Sequence, residues 1–304
     1  MLLLRTRHAL AALLCALAGS AHAATTPCDG SPSRLPERAP AAPGAAALLK
    51  TWDGFDGKTR EQAIRRELLA GNVPRFLRTL QPVSVEAQLA GLGTVRLIFC
   101  VLPDYLSLGN DADFLRVPMG LDTALAVAGT FGFVLPTRRM VDLIYRQSAV
   151  QLEAQPLPPG EQMHSNAYYQ RHQEMVQVQR AGFAKLPADA LVAGHKKDLV
   201  LSARLWERPG RVAIYGWQRA DGEPIQPLST VHSANYADYS HGVRLVSNVA
   251  YVNGAPRSLF EILGDARLAA LISDEGSLPA VRALFEVAPL AGQPEAASGV
   301  APAR

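Results

Sequence analysis

Between His232 and Arg244 the chain reads His-Ser-Ala-Asn-Tyr-Ala-Asp-Tyr-Ser-His-Gly-Val-Arg, which concentrates two of its seven histidines with an aspartate, two tyrosines, two serines and an arginine. Imidazole titrates near neutral pH, so His232 and His241 are the natural proton carriers, with Asp238 orienting one of them through its second ring nitrogen. Ser240 adjoins His241, but neighbouring side chains of an extended segment point to opposite faces. A base for a serine nucleophile would therefore come from another loop, from His195 or His232. No Gly-x-Ser-x-Gly elbow is present. Ser240 and His195 are accordingly expected as supporting catalytic groups. Arg244 offers a planar fork of donors for a carboxylate or phosphate.

Two further polar clusters belong to the same half of the chain, Gly194-His195-Lys196-Lys197-Asp198 and Tyr215-Gly216-Trp217-Gln218. Asp198, Trp217, Tyr236 and Tyr239 are expected to bind substrate, the aromatics by stacking on sugar rings. Tyr215 and Trp217 fit equally well as strand residues that cap a core. Lys196-Lys197 reads most simply as a solvated turn, and His164 and His172 as surface residues. His195, Asp198, His232, Asp238 and His241 would supply nitrogen and oxygen ligands for zinc. No His-Glu-x-x-His or paired-cysteine motif accompanies them, so no metal or cofactor is assigned, with zinc the one the ligand inventory would admit.

Ser240-His-Gly-Val-Arg-Leu245 resembles the Ser-His-Gly-Cys-x-Arg signature of L,D-transpeptidases, which cross-link peptidoglycan through that cysteine. The likeness covers six residues; the cysteine and one further residue are missing. What it implies is confined to a Ser-His-Gly turn followed by an arginine building an envelope site without thioester chemistry.

These loops need strands and helices to hold them. Residues 1–23 carry Arg5 and Arg7, a short apolar run and an Ala21-His-Ala23 cleavage signal, and are expected to be a signal peptide. The protein is then exported, periplasmic or secreted. Two mature cysteines, Cys28 and Cys100, are expected to pair in that compartment. Nothing later in the chain is apolar enough to span a membrane. Net charge is +3, and +1 once Arg5 and Arg7 are gone, which argues against a nucleic-acid partner. An envelope polymer or a small ligand is the expected partner; oligomeric state is left open.

A Pro- and Ala-rich flexible arm is expected over 24–57, a helix-rich part over 58–155, a strand-rich part over 161–290 and a disordered tail over 291–304. A capping box at Thr59 opens one helix. Others are expected over Asp122–Phe131, over Thr137–Val150 with Thr137 as cap, and over Ser165–Ala181. Strands are expected over Thr94–Leu102, Lys197–Ser202, Arg211–Trp217, Val243–Val246 and Val249–Val252, with Asn253-Gly254 as a turn and Pro224–Pro227 extended but not central. The fold class is α+β, helix-rich first, then mostly antiparallel sheet. The function expected is an exported hydrolase-like enzyme acting on peptidoglycan or polysaccharide by histidine acid–base chemistry. The alternative is a non-catalytic periplasmic binding or envelope-associated protein.

Overall fold

The computed structural model describes residues 27–30 and 35–286, so the expected signal peptide and the tail beyond 290 lie outside the described residues. Helix α1 (Ala45–Thr51) falls within the arm expected to be loose. Leu35, Ala45, Leu48 and Trp52 are buried there, because a few large apolar side chains outweigh the Pro/Ala-rich composition around them. Helix α2 (Gly57–Leu69) begins one turn earlier than expected. Its cap is Asp56, whose carboxylate accepts the Thr59 N–H at 2.7 Å, which relieves one of the helix's orphan donors.

A hairpin follows, β1 (Gln81–Leu89) against β2 (Gly93–Val101). The first strand has no clear sequence signature, since in it only Val83 is fully buried. Short strands β3 (Ser107–Gly109) and β4 (Phe114–Arg116) pair next, then come α3 (Leu121–Thr130), β5 (Phe133–Val134), α4 (Arg138–Gln147) and β6 (Val150–Gln151). Thr137 caps α4, and Met140, Val141, Leu143 and Ile144 are its buried face. Helix α5 (Asn166–Ala181) is capped by Ser165. The remaining elements are β7 (Val192–Ala193), β8 (Lys197–Leu199), α6 (Arg204–Glu207), β9 (Ile214–Gln218), β10 (Pro224–Ser229), β11 (His241–Gly242), β12 (Val246–Val252), β13 (Ala255–Ser258), α7 (Leu259–Gly264) and α8 (Val281–Phe285).

Two sheets organise the α+β fold. The larger runs β1-β2-β12-β13, with β5 on β12 as well; all its pairs are antiparallel. Asn253 (φ 49°) and Gly254 (φ 83°) make the two-residue turn between β12 and β13 that paired positive φ values specify. The smaller sheet runs β10-β9-β8-β11, with β11 parallel to β8. Pro224–Ser229 is its edge, where a missing N–H costs no ladder bond. Val243–Leu245 lies between the two sheets instead of forming a strand. Its carbonyls still take the Leu106 and Leu102 N–H groups, at 2.8 and 3.0 Å.

Helix-rich and strand-rich halves are joined through these sheets: β2 from the first pairs with β12 from the second, and one apolar cluster runs from Cys28 to Val281. Cys28 and Cys100 form a disulfide, Cα atoms 5.5 Å apart, that fastens the N-terminal segment to β2. Among the described residues no helix is long and apolar enough to cross a membrane.

Candidate functional site

The segment from His232 to Ser240 carries the chain from the edge strand β10 to β11 across the end of the smaller sheet. Its polar groups are tied together locally. Asp238 Oδ1 accepts the Ser240 N–H at 2.7 Å and the Ser240 hydroxyl at 2.5 Å, and Oδ2 accepts the Tyr236 hydroxyl at 3.1 Å. The His241 N–H donates to the Asp238 carbonyl at 3.0 Å. Such a turn satisfies a buried carboxylate without a cation.

Four rings gather on this turn. His232 stacks on Tyr236 with centroids 3.9 Å apart, and His241 lies 6.1 Å from His232 and 5.5 Å from Tyr236. His164 meets the Tyr236 ring at 4.8 Å, its Nδ1 2.8 Å from the Ala237 carbonyl. Lys197 joins them through strand register. In the parallel pair β8·β11, His241 sits opposite Lys197 and Gly242 opposite Asp198, and opposed residues share a face of the sheet. His241 is completely buried, and neither ring nitrogen has a hydrogen-bond partner among the described residues. Burial pushes its pKa down to about 4 against the pull of Asp238. Burial also pushes the Asp238 carboxyl up, but the positive form of His241, the Ser240 hydrogen bonds and Lys197 pull it down by more. At neutral pH the pair is therefore a neutral imidazole beside a carboxylate held mainly by Ser240. His232 is half-buried, and its pKa is lowered, first by burial.

On the other face Asp198 and Tyr105 belong to a second group. The Tyr105 hydroxyl donates to Asp198 Oδ2 at 2.7 Å. Asp104 takes two donors from Arg116, Nε at 3.0 Å and Nη2 at 2.6 Å. His195 Nε2 stands 3.3 Å from Asp104 Oδ1, close enough for an ion pair but not aligned for a hydrogen bond, and its ring meets Tyr105 edge-on at 4.9 Å. Burial pushes His195 down to about 4 and Asp198 up to about 7. Asp104 ends below its ordinary value because Arg116 and His195 outweigh its burial.

This division corrects several expectations. His195 is fully buried against Asp104 and Tyr105 and makes no ring contact with His232 or His241. Asp198 likewise serves Tyr105. Arg244 is buried over the Tyr105 ring at 4.4 Å and donates to the carbonyls of Leu102 at 2.9 Å and Val192 at 2.5 Å, so it ties the two sheets instead of presenting a fork for an anion. Tyr239 packs in a small core with Tyr169 and Trp217, and its hydroxyl takes the Leu157 N–H at 2.7 Å; it offers no open face to a sugar. Trp217 is buried in that core too. Ser240 donates its hydroxyl proton to Asp238 and so holds the carboxylate in place. Lys196 is buried, not solvated, with Nζ 2.5 Å from the Tyr239 carbonyl and a pKa pushed down to about 7 by burial. His172 is buried on α5, against Tyr239. An isolated charged or aromatic residue beside a turn reads as exposed until the strand that covers it is known.

Sequence reading also missed residues. A cavity of about 780 Å³ opens beyond Tyr236, bordered by Arg60, Glu61, His164, Tyr169, Tyr236 and Ala237. Glu61 belongs to the buried side of α2; burial pushes its carboxyl up against hydrogen bonds from Thr123 and the Gly120 N–H. Nothing in the sequence separates Glu61 from any other glutamate on a polar helix face. Among the described residues no three His, Cys, Asp or Glu side chains are grouped so as to hold a metal ion. Comparisons of the chain with protein-family models, curated proteins and solved structures find no match.

Proposed function

We propose that the protein is an exported hydrolase-like enzyme that acts on a cell-envelope or extracellular polymer, peptidoglycan or polysaccharide, by histidine acid–base chemistry. The observation that carries the reading is the His232–His241 pair, 6.1 Å apart beside a carboxylate, with both nitrogens of the buried His241 ring unpaired. A buried imidazole without a partner is costly unless water or substrate completes it. A neutral imidazole can take a proton from water as the water adds to the scissile bond, and Asp238 stabilises the imidazolium that results. The leaving group then takes the proton back. Tyr236 borders the large cavity and bonds Asp238, so it links bound polymer to the acid–base pair. Export is supported by the leader-like first 23 residues and by the disulfide, a bond that persists in oxidising compartments.

The test is cleavage of purified peptidoglycan and of neutral and acidic polysaccharides by the mature protein and by His232→Ala and His241→Gln. A fall of about 10²-fold or more in turnover, with the melting temperature retained, supports the reading. Binding of polymer with no cleavage by the wild type would replace it with a non-catalytic envelope-binding protein.

A further inference from the structure

On the His241 face of β8, two buried hydrogen-bonding side chains, Trp217 and His241, have no partner among the described residues, and a half-buried lysine stands beside them. Lys197 is half-buried and reaches across to the Trp217 ring, its Nζ 4.9 Å from the centroid. Among the described residues no carboxylate lies within 4 Å of that ammonium, and Asp238 acts on it only from farther off. The Trp217 Nε1–H is buried with no acceptor among the described residues. The His241 nitrogens are buried and unpaired, opposite Lys197 in register. Asp238 is the acid that acts on both Lys197 and His241, and its oxygens already hold Ser240 and Tyr236.

The backbone here is held in an unusual form. Trp217 has φ +63°, a region that bulky residues adopt only under constraint, and it follows Gly216 at φ +104°. The β9 backbone therefore leaves its regular course where the indole packs beside Lys197. An indole N–H and an imidazole buried without partners are a cost that a flat, two-oxygen anion would relieve, with the adjacent ammonium supplying its counter-charge.

We propose that Lys197, the Trp217 indole N–H and His241 together form a subsite for a carboxylate of the ligand. The Lys197 ammonium matches the single charge of a carboxylate, and a bound anion would add to the pull of Asp238 in offsetting the lowering of the Lys197 pKa by burial. The subsite deepens the hydrolase reading, because His241 is shared, and it selects among envelope polymers for those with free carboxylates, either peptide termini or uronic sugars. Lys197 then binds and orients substrate beside the acid–base pair.

The experiment is a ¹H–¹⁵N titration of the folded mature protein, following the indole N–H of Trp217, assigned by its loss in Trp217→Phe. The probes are N-acetyl-D-alanyl-D-alanine and digalacturonate, each against its neutral amide or methyl ester. The expected result is a saturable shift with one carboxylate probe, none with its neutral counterpart, and affinity at least tenfold weaker in Lys197→Met but partly kept in Lys197→Arg. Which probe shifts the signal names the source of the carboxylate. No shift with either acid, equal shifts with acid and neutral forms, or unchanged affinity in Lys197→Met overturns the subsite; if Lys197→Met does not fold, Lys197→Gln and the acid–neutral comparison decide. Cleavage of polymer without carboxylate binding would sink the subsite alone, and carboxylate binding without cleavage would sink the hydrolase alone.

Discussion

Tyr236 lies nearly flat on His232, with ring centroids 3.9 Å apart and planes 9° from parallel, while its hydroxyl donates to Asp238 at 3.1 Å. One side chain thus braces the half-buried histidine and holds the carboxylate that faces the buried one. Tyr236→Phe keeps the stack and removes only the hydrogen bond. We expect stability to change by about 1 kcal/mol and turnover on the cleaved polymer to fall at least about tenfold. Thermal unfolding and steady-state kinetics on the same preparation check both; unchanged turnover would remove Tyr236 from the proposed relay.

Asp104 and Arg116 are a buried pair, both nearly inaccessible. Asp104→Asn leaves the guanidinium uncompensated and should cost about 3–5 kcal/mol in urea unfolding. Replacing both, Asp104→Leu with Arg116→Met, should cost less than the single change, because no charge is left stranded. A double variant less stable than Asp104→Asn would contradict this account.

Stability should depend on pH in a defined direction. His195 and His241 titrate near 6.5 when unfolded and near 4 when folded, so the unfolded chain binds more protons between those values. Their contribution is complete above about 6.5 and is lost as pH falls toward 4, at most about 3 kcal/mol each. Asp198 opposes this: its folded value is about 7 against 3.8 unfolded, so the native state is the one holding the proton over that range. Stability against pH should therefore be shallower from pH 4 to 6.5 in His241→Gln and steeper over the same range in Asp198→Asn. Slopes from denaturant melts at several pH values give the comparison.

The disulfide closes a separation of 72 residues. Chain-entropy reasoning gives about 4 kcal/mol for a loop of that length. Cys28→Ser with Cys100→Ser should lower the melting temperature by several degrees, and the denatured, unreduced protein without residues 1–23 should show no free thiol. Two titratable thiols would refute the bond.

Gly242 is where Tyr105 crosses β11. A Cβ there would stand 2.6 Å from Tyr105 Cδ1 and 2.8 Å from Lys196 Cβ, with both neighbours buried. Gly242→Ala should destabilise by about 1–3 kcal/mol through overpacking. Gly242→Ala combined with Tyr105→Leu should recover part of it, which a melting series would reveal.

Local chemistry in the sequence was enough for the elements whose signals are local. Thr137 and Ser165 cap α4 and α5 as their positions suggest, the apolar run before Pro103 is β2, and Asn253-Gly254 turns β12 into β13. Cys28 and Cys100, expected to pair on the reading of residues 1–23 as a signal peptide, do form a disulfide. The His232–Arg244 stretch is dense in polar groups on any reading, and two of its histidines do meet.

Tertiary structure alone decided which of those groups are free. Arg244 reaches carbonyls 142 and 52 positions away, and Asp104 finds Arg116 and His195 from two other segments. Strand order creates those partnerships, and strand order is set by which apolar faces are buried together across the whole chain. The parallel register of β8 and β11 likewise assigned Lys197 to the His241 face and Asp198 to Tyr105, and a shift of one residue would have exchanged them. A sequence supplies donors and acceptors; their pairing, and with it the burial that holds His241 neutral and leaves it without a partner, exists only once distant strands have come together.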